Sequence, residues 1–181
     1  RALLMKRLAR FLKRFFGNAR GVAAVEFAFI APVMVTMLTG LIELSYLMMA
    51  ERRVSGAAHS TADLLAQETD VTSTDLNDIF SAAALIMAPF STGSLMIGVS
   101  SVRFDDTTGA PSQDWSSSYN AGAVSNPTTL ATGMGEAGTS VIIVTASYTY
   151  TPIMVAILSG NFTLSETAIV RPRYLDYVGY Y

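Results

Sequence analysis

Between Phe27 and Ala50 the chain runs for 24 residues with a single charge, Glu43. A helix that crosses the hydrocarbon of a bilayer needs ~20 mostly apolar residues. This window therefore predicts a membrane-spanning helix, and the rest of the chain must be arranged around it. The charges flanking it are strongly asymmetric. Residues 1–25 hold seven basic residues and no acid, whereas the remainder holds five basic and fourteen acidic residues. Basic residues beside a span mark the cytoplasmic flank. The acidic remainder is then expected on the other side, which argues against nucleic acid as its partner.

Residues 1–21 read as a basic cytoplasmic leader. Within it, Leu4, Leu8, Phe11, Leu12 and Phe15 share one helical face, with Lys6, Arg7, Arg10 and Lys13 largely opposite. Two readings stay open: a helix lying in the headgroup layer of an anionic membrane, or a positively charged leader with no role of its own. A secretory signal peptide fits less well, because its apolar region is ~7–15 residues and ends at a small-residue cleavage site. The Ala- and Leu-rich stretch after Arg53 keeps helical spacing through Ala57, Ala58, Leu64 and Leu65. One long helix over 22–67 is predicted, with its transmembrane part at 27–50. Pro32 lies inside it, where it removes one backbone donor; membrane helices tolerate this.

Residues 68–181 are expected to form an extracytoplasmic α+β domain with a mostly antiparallel sheet. Thr72 and Asp75 are spaced as a capping box, opening a helix to Met87 with Leu76, Ile79, Phe80, Ala83 and Met87 on one face. Strands are expected at 95–104, 139–151 and 162–170. The polar tract 105–138 is long for a loop and has room for short strands. The apolar run Ile153–Leu158 is too short to span a bilayer; it reads either as a buried turn of helix or as a patch facing a neighbour. The aromatic tail from Tyr174 is expected to cover a sheet face or edge.

Nothing in the sequence points to catalysis. With no cysteine, thiolate metal sites and disulfides are excluded. The single histidine, His59, has no accompanying nucleophile motif. Asp114-Trp-Ser-Ser-Ser118 matches an Asp-x-Ser-x-Ser pattern, and Asp105, Asp106 and Asp114 are oxygen donors of the kind Ca²⁺ takes. Both lie in a Ser-rich tract where a solvated loop is the simpler reading. No phosphate-cradling glycine loop precedes a helix. No cofactor, no metal and no enzymatic activity are expected.

The glutamates of the apolar segment carry more information. An ionisable group in hydrocarbon costs ~2.5–3.5 kcal/mol on insertion scales, so its presence is a functional hypothesis. In 100° steps, Glu26, Gly40 and Glu43 fall within roughly one 100° arc. A small residue between two acids suggests a helix-packing face; for Glu43, placement at the far headgroups is the alternative.

The run Gly21-Val-Ala-Ala-Val-Glu26-Phe27 resembles a type IV prepilin processing site, in which a basic leader ends at a glycine and glutamate is the fifth mature residue. Extended through Pro32, Gly40 and Glu43, it resembles the TadE/TadG family of pseudopilins of tight-adherence (Flp-type) pili. The resemblance implies cleavage between Gly21 and Val22 by an inner-membrane prepilin peptidase, with Glu26 and Phe27 in the recognised motif. It implies a role in pilus assembly, with helix packing through Glu26, Pro32, Gly40 and Glu43. The implied partners are the major Flp pilin, other pseudopilins, the inner-membrane assembly platform and the lipid bilayer. The contrasting reading is an uncleaved single-pass protein whose outer domain binds a ligand or envelope partner.

Overall fold

The structure, a computed structural model, describes residues 19–154 and 160–181. The expected leader helix at 3–16, and Val155–Ser159 of the apolar run, lie outside the described residues. Helix α1 spans Ala19–Gln67, 49 residues including Pro32. At 1.5 Å per residue it is about 74 Å long. It is the one helix among the described residues long and apolar enough to cross a membrane.

Two halves of α1 have different surroundings. From Gly21 to Ile42 the side chains are exposed, apart from half-buried Ala31, Thr39 and Gly40. The few hydroxyls here satisfy themselves: Thr36 donates to the Pro32 carbonyl and Thr39 to that of Val35, each at 2.8 Å. Such internal bonding is what an apolar solvent requires of a helix. From Glu43 onward one stripe turns inward. Glu43, Ala50, Val54, Ala57, Ala58, Thr61, Ala62, Leu65 and Ala66 are buried. Their spacing of three and four residues is the helical period. The alanines let the helix lie close to the sheet, while Val54 and Leu65 each contribute about 1.5–3 kcal/mol on burial. Leu64, grouped with this face by spacing, is exposed instead.

After α1, strand β1 (Asp70–Val71) leads into helix α2 (Ser73–Ile86). The predicted capping box is formed: the Asp75 amide donates to the Thr72 hydroxyl, and the Thr72 amide donates to the Asp75 carboxylate at 2.9 Å. All five residues of the predicted stripe are buried. A four-stranded antiparallel sheet follows, built from β2 (Leu95–Phe104), β3 (Pro111–Tyr119), β4 (Ser140–Tyr150) and β5 (Phe162–Val170) in the order β3-β2-β4-β5. The α+β class is as the sequence predicts. Strand β3 and a short helix α3 (Pro127–Ala131) occupy the tract that reads as a long polar loop.

Helices α1 and α2 cover one sheet face. Its core holds Leu95, Ile97, Val99 and Trp115, with Ile142, Val144, Ala146, Tyr148 and Tyr150 alternating along β4. The other face carries a smaller cluster of Val102, Phe104, Ala131, Val141 and Ile143. There the 120–124 loop lies directly on β2. A Cβ added to Gly98 would sit 2.5 Å from the Ala123 backbone, so only glycine permits this approach.

The aromatic tail packs beside edge strand β3. Strand β6 (Gly179–Tyr180) pairs in parallel with β1, and buried Val178 accepts a 2.8 Å hydrogen bond from the Trp115 indole. Tyr180 stacks on the same indole at 5.7 Å, while Tyr174 and Tyr181 stay exposed. The tail therefore returns the C-terminus to the start of α2.

The capping box yields a pH-dependent expectation. Bonds from the Thr72 hydroxyl, then from its amide, hold the Asp75 carboxyl below its ordinary range. A depressed folded-state pKa stabilises the fold above the unfolded value of ~3.9 and is lost as pH falls through the folded value. Thr72→Ala should cost about 1 kcal/mol at neutral pH. Denaturant unfolding in detergent should show this gap narrowing as the solution is acidified below about pH 4.

Candidate functional site

Among the described residues the one buried acid lies where the apolar helix meets the domain. Glu43 is 2% exposed. The Tyr150 hydroxyl, at the last residue of β4, donates to Glu43 Oε1 at 2.7 Å. The backbone amides of Ile153 and Met154 donate to Oε1 at 3.0 Å and to Oε2 at 3.2 Å. A carboxylate accepting three hydrogen bonds is well matched to its surroundings, and each such charge-assisted bond is stronger than a neutral one. Burial, and then the bond to Glu43, raise the Tyr150 hydroxyl above its ordinary value, so it stays protonated as the donor.

Local sequence explains the arrangement. Alternation along β4 puts Tyr148 and Tyr150 on the helix-facing side. Pro152 ends the strand, and the two amides that follow turn toward α1. Phe90, just after α2, packs against Tyr148 at 6.4 Å and edge-on to Tyr150 at 6.2 Å. With Tyr46, Pro89 and Ile153 these rings line an open cleft of about 630 Å³ beside the helix. Glu43 thus packs against its own domain.

The other predicted residues are distributed differently. Gly21, Val22, Glu26 and Phe27 lie in the first turns of α1, all exposed. Pro32 is exposed farther along, and Gly40 is half-buried one turn before Glu43. Glu26 does not join the Glu43 cluster: the two are 17 positions apart on one helix, about 25 Å along its axis. The stretch from Glu43 to Ala50, predicted as the end of the span, is gripped on one side by the domain, with Leu47 and Ala50 packed into its core.

The candidate polar residues His59, Asp105, Asp106 and Asp114 are all exposed. His59 is exposed, with its Nε2 3.6 Å from Glu166. The Asp105 carboxylate accepts from the Thr108 and Thr107 amides and the Thr108 hydroxyl; these bonds hold it below its usual range and close a turn. Asp106 faces Arg103 at 3.7 Å. Asp114, Ser116 and Ser118 run along edge strand β3, with Trp115 turned into the core. Among the described residues no three His, Cys, Asp or Glu side chains gather as a metal site.

What sequence reasoning misses is the partner set of Glu43. Tyr150 is 107 positions away, and no periodicity links the two. Removing the Tyr150 hydroxyl should loosen this junction locally. In Tyr150→Phe, hydrogen exchange at the Ile153 and Met154 amides is expected to quicken about tenfold or more. Exchange across the centre of β4 should change little.

Residues 21–63 match the family model described as TadE-like protein. No curated protein and no solved structure matches the chain. The matched segment begins at the glycine of the processing-like motif and runs through Glu26, Pro32, Gly40 and Glu43 into the half of α1 that forms the core. Over residues 21–63 this chain is similar to TadE-like proteins.

Proposed function

We propose that this protein is a minor pilin or pseudopilin that takes part in assembling a bacterial tight-adherence pilus. It is anchored in the inner membrane by a single pass of α1, with its basic N-terminal flank cytoplasmic and its α+β domain on the periplasmic side. Incorporation into the extracellular pilus is compatible with this arrangement. The observation that carries the reading is the TadE-like match over 21–63, which joins the Gly21–Phe27 motif to the apolar helix.

In this reading a prepilin peptidase cleaves after Gly21, and Val22 becomes the first residue. Among the described residues nothing lies within 4 Å of a Cβ built at Gly21, and the side chains of Val22, Glu26 and Phe27 are exposed. They are therefore open to a membrane peptidase and then to neighbouring subunits. Glu26 pairs with the new amine of a neighbouring subunit, such as the major Flp pilin or another pseudopilin. That pairing offsets the cost of a charge in lipid. The role is structural, in contact with the assembly platform, rather than catalytic.

The test is mass spectrometry of membranes and sheared pili from the producing cells. The expected mature chain starts at Val22, and Gly21→Val should leave the leader attached. Glu26→Ala should reduce piliation while the protein remains in the membrane. An intact leader in cells whose peptidase processes other prepilins would overturn the reading.

A further inference from the structure

Glu43 fixes more than the end of β4. Its bonds to the Ile153 and Met154 amides hold both residues at the level of Glu43 on α1. Both side chains are nonetheless free: Ile153 is 69% exposed and Met154 40%. In the same turn of α1 as Glu43, Leu41, Ile42 and Leu44 are exposed as well. Apolar side chains are thus exposed both along the free half of α1 and at the two residues bonded to its Glu43 turn.

The height of this patch follows from the helix. A hydrocarbon core is ~30 Å thick. Measured from Arg20, the last charge of the basic flank, a 1.5 Å rise brings a helix through that thickness after about 20 residues, near Gly40 to Ile42. Glu43 then sits at the far boundary, with Tyr46 one turn above in the layer where tyrosine is favoured. Glu51, Arg52 and Arg53 begin about 12 Å above Glu43, in water. Ile153 and Met154 are held at the lower end of this interval.

We infer that the base of the domain rests on the membrane leaflet opposite the basic flank, with Ile153 and Met154 inserted into phospholipid beside α1. This rests on the single-pass part of the proposed function, since the height is set by the span. The occupant is lipid because the two residues are bonded to the turn of α1 at which the lipid-covered length of the helix ends. Glu43 takes part by presenting the two residues while its own charge is consumed by their amides and by Tyr150.

The natural absence of cysteine permits a direct test with the full chain. Single variants Ile153→Cys, Leu38→Cys and Ser81→Cys carry a polarity-sensitive fluorophore in vesicles of phosphatidylethanolamine and phosphatidylglycerol. All three side chains are exposed, so labelling leaves the core intact. Lipids with a quencher near the headgroup or deep in the chain report depth. The inference expects the probe at position 153 to be blue-shifted and quenched by the shallow quencher, that at 38 by the deep one, and that at 81 by neither. Quenching at 38 without any at 153 overturns the inference and leaves the anchor standing. No quenching at 38 overturns the anchor and the inference with it. A blue shift at 153 that lipid quenchers do not touch and that vanishes on dilution into excess lipid assigns the patch to a second copy, and also overturns it.

Discussion

The architecture depends on a carboxylate that is buried and hydrogen-bonded at both oxygens. An ionised acid removed from water is costly unless donors replace its hydration. Glu43 meets this requirement with one phenol and two backbone amides, all from the end of β4 and the residues just after it. The sheet is thereby tied to α1 at its lowest contact. Above that point small apolar side chains do the packing; at it, a charge specifies which part of the sheet meets which turn of the helix. Removing one partner strands the others, which is why such clusters act as a unit.

Much of the fold was legible because its elements follow their own periods. The capping box of α2, its apolar stripe, and strands β2, β4 and β5 all emerge where spacing puts them. Strand β3 did not, and the reason is physical. It is an edge strand whose outward residues are Ser, Gln and Asp, and only Trp115 is buried along it. A shift in its pairing with β2 between Ser101 and Val102 breaks the simple alternation. Composition there reports solvent contact, which loops and edge strands share.

The site was legible in its residues but not in its connections. A glutamate in an apolar helix announces that something must satisfy it, and the sequence supplies no hint of what. Gly40 and the shared arc with Glu26 suggest a helix-packing face, or for Glu43 a place at the far headgroups. The structure instead gives Glu43 a tyrosine and two amides from its own sheet, contacts made by tertiary folding across more than a hundred positions. The same long-range packing explains why the domain already holds Leu47 and Ala50, which by hydropathy alone belong with the span.

Helix α1 has no linker between its free half and the half that forms the core: it is unbroken from Ala19 to Gln67. A flexible joint would let a domain reorient independently of its anchor. Here the two are one rod. A rotation or tilt of the lipid-facing end must turn the whole sheet with it. A pull along the axis enters the domain as shear over the full stripe from Glu43 to Ala66, rather than peeling one strand at a time. The anchor is thus also a lever arm, and Glu43 marks its fulcrum.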